Sequence, residues 1–158
     1  MSDTTVGIAI YCGDNRLWRN EDRIRKEQLD VNHLFMLVVP GGPLGLTTDP
    51  QSYGVAESLR TFAEVAREKY GVDRLVIGLY SHFDCGAHGG VAAVGNVDDH
   101  IPHFTKVHIE AMAAIAEILS DYRLEVEGYI VDCDGVDTII DQRTLRRIEE
   151  REPATTSC

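Results

Sequence analysis

Basic residues are scarce in this sequence: 15 Lys and Arg stand against 26 Asp and Glu, a formal charge of −11. A chain so acidic repels phosphate backbones and anionic headgroups, which argues against non-specific binding to nucleic acid or to an anionic membrane. Long apolar runs are also missing. The longest are strand-sized, well short of the roughly 20 residues of a spanning helix, and the opening Met1-Ser2-Asp3-Thr4-Thr5 is polar, unlike a secretory leader. The chain is therefore expected to be soluble, intracellular and cytoplasmic. No Cys-X-X-Cys pair occurs, which sets dithiol redox chemistry aside. The glycines at Gly41-Gly42 and from Gly86 to Gly90 match neither a P-loop nor a dinucleotide fingerprint, so nucleotide binding is not expected. Internal repeats and low-complexity segments are absent too.

What remains is an ordinary apolar fraction, 44% of 158 residues, enough for one compact domain over 1–158 and too little for two. Val6 to Tyr11 is β-branched and apolar without alternation, the pattern of a strand covered on both faces. Leu34 to Val39 repeats it and is stopped by Pro40-Gly41-Gly42-Pro43. Arg74 to Tyr80 and Val126 to Val131 supply a third and a fourth strand. Between them, Val55, Leu59, Phe62 and Ala66 recur at helical spacing within Ser52 to Tyr70, closed by Gly71. A longer helix is expected from about Pro102 to Tyr122, with Val107, Met112, Ile115 and Leu119 as its inner stripe. Leu17 to Asp30 and Asp141 to Glu152 read as charged helices, and 153–158 as a flexible tail. Strands alternating with helices imply an α/β fold: a three-layer, mostly parallel central sheet of about four or five strands with helices on both faces. In such sheets ligands collect beyond the carboxyl ends of the strands, where chain order reverses.

Two clusters of reactive side chains fall at those ends. Cys12-Gly13-Asp14-Asn15-Arg16 follows the first strand, and Ser81-His82-Phe83-Asp84-Cys85-Gly86 follows the third. Cys12, His82 and Cys85 together offer two thiolates and one imidazole, the number and kind of ligand that a catalytic zinc site uses while keeping a fourth position open. Asp14 either accepts a hydrogen bond from water at such an ion or takes the fourth position itself, and Arg16 would hold Asp14 ionised through a charge-assisted contact. An isolated Asp-X-Arg also suits a plain strand-end salt bridge. Cys133, between Asp132 and Asp134, has no histidine nearby and reads as a small buried thiol. Cys158 ends the polar tail. His88, His100, His103 and His108 are expected at the solvated surface, with His88, close to Cys85, the first candidate for relaying protons.

The two motifs, in this order and spacing, resemble the Cys-X-Asp-X-Arg and His-X-X-Cys motifs of β-class carbonic anhydrases, and the similarity of pattern runs from about Val6 to Gly135. The resemblance implies a parallel-centred α/β fold, a homodimer or higher homo-oligomer, zinc held by Cys12, His82 and Cys85, and Asp14 and Arg16 as a catalytic dyad. It implies reversible hydration of carbon dioxide to bicarbonate, zinc bringing the pKa of its water towards neutrality. Proteins of similar pattern hydrolyse carbonyl sulfide or carbon disulfide, and a third alternative is a non-catalytic zinc-binding scaffold. The chain departs from the pattern after the second strand. There, Val39-Pro40-Gly41-Gly42-Pro43 replaces the arginine and asparagines that many members carry. It also begins almost directly at the first strand, so dimerisation is expected to be built without an N-terminal helical arm.

Overall fold

The computed structural model describes residues 4–13, 29–47, 53–131 and 137–140. Five strands form one sheet: β1 (Val6–Cys12), β2 (His33–Val39), β3 (Arg74–His82), β4 (Arg123–Val131) and β5 (Asp137–Ile140), in the spatial order β2-β1-β3-β4-β5. The first four run parallel, and β5 returns antiparallel to β4. This is the mostly parallel α/β sheet expected. The chain moves outward from β1 to β2 and then crosses to β3 on the other side, so order reverses between β1 and β3.

β1 has no alternation of polarity because both of its faces are buried along its whole length. Val6, Ile8 and Ile10 join Leu75, Ile77 and Leu79 of β3 in one core. Ala9 and Tyr11 join Val76 and Tyr80 in a second core on the other face. The first core is covered by α1 (Val55–Tyr70), through Val55, Leu59, Ala63 and Ala66, and by α3 (Val97–Ile118), through Ala111 and Ile115, with Leu119 just beyond it. The second holds Leu29 and Val31, and Phe104 from the start of α3. On that face Tyr80 sits between Tyr11 and Tyr129, with ring centroids 5.0 and 4.9 Å away.

Several element boundaries depart from expectation, most clearly at α3, where capping outweighs apolar spacing. α1 begins at Val55 rather than Ser52, and ends at Gly71, whose N–H donates to Arg67 O at 3.0 Å. α3 starts five residues before Pro102. Asn96 caps it, with Oδ1 accepting from the N–H groups of Asp98 and Asp99, and the Asp99 carboxylate accepts in return from Asn96 N–H. Pro102 therefore sits inside the helix, where its missing N–H removes the bond to the Asp98 carbonyl. The glycine-rich passage after Cys85 folds as a 3-10 turn (Gly86–His88) and a short helix α2 (Gly90–Val94). β3 runs on to include Ser81 and His82, and β4 starts at Arg123, three residues earlier than read. The expected helices at 17–30 and 141–152, the tail, and Cys133 and Cys158 lie outside the described residues, apart from Leu29 and Asp30. No helix among the described residues is long and apolar enough to cross a membrane.

Candidate metal centre

Cys12 is the last residue of β1 and His82 the last of β3. The two strands pair in parallel from Val6↔Leu75 to Ile10↔Leu79, and continuing that register brings Cys12 level with Ser81, beside His82. Gly13 N–H still donates to Val39 O at 3.1 Å, which ties the residue after Cys12 to the end of β2. Asp14 and Arg16 themselves lie outside the described residues.

The turn that carries Cys85 back toward Cys12 is tightly bonded. Asp84 takes a left-handed φ of 55°, and its Oδ1 accepts from Val91 N–H at 3.0 Å. The Cys85 carbonyl accepts from the N–H groups of His88 and Gly90, at 3.0 and 2.9 Å. The result gathers one ligand atom each from Cys12, His82 and Cys85 within 4.8 Å of one another, all three residues buried. These are the three residues that the sequence put forward as ligands, and they form a group that could hold a metal ion.

The donor set can be tested against zinc. Two thiolates bound to one tetrahedral zinc at about 2.3 Å lie about 3.8 Å apart. Cys12 Sγ and Cys85 Sγ are 3.6 Å apart, close to that spacing and far from the roughly 2.05 Å of a disulfide. His82 Nδ1 faces Phe83 O at 2.8 Å. A carbonyl only accepts, so Nδ1 carries the proton and Nε2 is left as the imidazole's ligand nitrogen. The Cys12 thiol beside it, and burial, push the Cys85 thiol upward. Two buried sulfurs this close cannot both ionise without a cation between them, so metal binding there must release protons. The residues present fit zinc.

A second wall comes from the loop after β2. Gly42 packs so tightly against the strand ends that a Cβ there would lie 2.9 Å from Tyr80 O and 3.0 Å from Cys12 N. Gly41 O faces His88 Nε2 at 3.4 Å, and His88 Nδ1 faces His103 Nε2 at 2.9 Å. His88 is therefore partly buried and engaged rather than solvated. Burial pulls its pKa down to about 4, which leaves it neutral at physiological pH. His100 and His108 correct the surface expectation outright, at 1% and 0% exposure. His108 Nε2 meets Ser81 Oγ at 2.9 Å, and burial lowers its pKa to about 3. Both lie on the buried stripe of α3 that carries Phe104, Ala111 and Ile115, and each has a polar partner from β3 or the turn after it, Ser81 Oγ for His108 and Asp84 N–H for His100, that only the folded chain supplies.

No protein-family model and no curated protein matches the sequence. Solved structures do. The β-carbonic anhydrase isoform I of Trichomonas vaginalis superposes with a TM-score of 0.54 at 18% identity, over 89% of this chain and 86% of that one. The chain has the β-carbonic anhydrase fold. The β-carbonic anhydrase CafA of the fungal pathogen Aspergillus fumigatus is also similar, at 18% identity over 94% of this chain and 83% of that one, with a TM-score of 0.42. In this chain's version of the β-carbonic anhydrase fold, the Cys-His-Cys cluster lies at the carboxyl ends of β1 and β3, where strand order reverses.

Proposed function

We propose that this chain is a zinc enzyme of the carbonic anhydrase type, catalysing the reversible hydration of carbon dioxide to bicarbonate as a homodimer or higher homo-oligomer. The observation that carries the reading is the convergence of Cys12, His82 and Cys85 at the switch point of a β-carbonic anhydrase fold. Zinc, when bound, supplies the Lewis acidity that makes water a nucleophile near neutral pH. The protein's own work is then electrostatic and orienting. Cys12 and Cys85 bind as thiolates, and the two negative charges offset those of the cation. His82 binds through Nε2 while Phe83 O holds its other nitrogen. Asp14, two residues beyond Cys12, would accept a hydrogen bond from water at such an ion or take its fourth position itself. Arg16 keeps Asp14 ionised and aimed.

Stopped-flow carbon dioxide hydration, run beside carbonyl sulfide and carbon disulfide hydrolysis on zinc-loaded protein, tests the proposal. Carbon dioxide turnover is expected. Hydrolysis of a sulfur substrate alone would reassign the substrate, and bound zinc without turnover of any of the three would leave a non-catalytic scaffold.

A further inference from the structure

The Phe83–Asp84 peptide is gripped at both ends. Its carbonyl accepts from His82 Nδ1 at 2.8 Å, and its N–H donates to His100 Nε2 at 3.2 Å. His100 in turn donates from Nδ1 to Asn96 O at 2.6 Å. Each partner at His100 has one possible role, since a backbone N–H only donates and a carbonyl only accepts, so its tautomer is fixed as Nδ1–H. The bonds run head to tail in one direction: His82 ring to peptide, peptide to His100 ring, His100 ring to the cap residue of α3. Such a chain polarises along its length and strengthens each of its bonds.

Its far end is anchored. Asn96 is locked by the reciprocal cap with Asp99, and His100 is 1% exposed, packed edge-on to Phe83 at 5.5 Å and tilted against Phe104 at 5.7 Å. The left-handed Asp84 needs such bracing, because a non-glycine residue at φ 55° is strained unless its neighbours hold it.

We infer that His100 is a positioning residue for the Cys12–His82–Cys85 centre, setting the Phe83–Asp84 peptide plane and through it the orientation and basicity of the His82 ring. The inference rests on the zinc reading of that centre. His100 touches no ligand atom and acts only through the peptide.

His100→Leu keeps apolar volume but removes the acceptor. His100→Gln offers an amide oxygen near the place of Nε2 and serves as the conservative rescue. Zinc affinity is read by competition with a chromogenic chelator, and ligand geometry by the visible spectrum of cobalt(II)-substituted protein. His100→Leu is expected to weaken zinc about 10- to 100-fold and to shift the cobalt bands, while His100→Gln restores both. An affinity within about twofold of wild type in folded His100→Leu would overturn the inference, as would a loss that His100→Gln fails to rescue. Should His100→Leu not fold, long-range proton–nitrogen NMR on wild-type zinc protein decides. Nδ1–H on both His82 and His100 supports the chain, and Nε2–H on His100 overturns it. Wild-type protein that binds no zinc overturns the metal centre itself, an outcome distinct from all of these.

Discussion

Replacing Gly42 by alanine separates two kinds of backbone cost, and Gly71 provides the control. Gly71 has φ +67°, and a Cβ there meets nothing within 4 Å, so Gly71→Ala carries conformational strain alone, about 1 kcal/mol. Gly42 has φ +53°, but its Cβ would also lie 2.9 Å from Tyr80 O, 3.0 Å from Cys12 N and 3.1 Å from Tyr11 C. Those are backbone atoms of the two central strands and cannot swing away as a side chain would. Forcing a methyl among them adds about 1–3 kcal/mol of overpacking, for a total of roughly 2–4 kcal/mol. At about 2–4 °C per kcal/mol for a chain of this size, Gly42→Ala is expected to lower Tm by about 5–15 °C and Gly71→Ala by only a few degrees. Scanning calorimetry reads the first effect. Chelator competition reads a second, because displacement of Cys12 should weaken zinc in Gly42→Ala and leave it unchanged in Gly71→Ala. Equal Tm losses in the two variants, or unaltered zinc affinity in Gly42→Ala, would refute the close-packing argument.

Other expectations follow from the proposed function and from the fold. Asp14→Asn should retain stoichiometric zinc and lose most of the carbon dioxide hydration rate; an unimpaired variant would remove Asp14 from the mechanism. Cys85→Ser should weaken zinc binding severely and expose the protein to chelators, as measured by metal content after gel filtration. His108 is neutral in the fold, with a pKa of about 3, against about 6.5 in the unfolded chain. The unfolded state therefore binds more protons between those values, and stability must fall as pH falls through that window. The loss is about 2 kcal/mol by pH 5, readable in urea unfolding of metal-free protein. The double variant Ser81→Ala/His108→Leu should lessen that slope by removing the titrating ring together with its hydroxyl partner, leaving the share of His88, whose pKa is also lowered, to about 4.

The elements that could be read in the sequence are those whose burial is either continuous, as in the central strands, or helically periodic. β1 and β3 are apolar on both faces, so their existence and parallel pairing followed from composition, and α1 followed from the spacing of Val55, Leu59 and Ala66. The convergence of Cys12 with His82 and Cys85 also followed, because strand ends in a parallel sheet meet at one edge. The start of α3 did not, since Pro102 is a stronger start signal than the Asn96–Asp99 cap that actually operates. β5 was not located, being four residues long and paired antiparallel only at the end of β4. The buried roles of His100 and His108 were hidden for a different reason. Each depends on one hydrogen bond to a distant residue, Asp84 N–H and Ser81 Oγ, and no local pattern encodes such a bond. Gly42 was visible as a turn residue, but its approach to the backbone of β1 and β3 is a property of the assembled sheet.

The central claim is that Cys12, His82 and Cys85 hold one zinc ion. Zinc-edge X-ray absorption on purified protein tests it most directly, because scattering from sulfur and nitrogen is distinguished by distance. The account requires one zinc per chain with two sulfurs at about 2.3 Å and at least one nitrogen at about 2.0 Å. A metal-free protein after growth and refolding in zinc, or a first shell without sulfur, would contradict it.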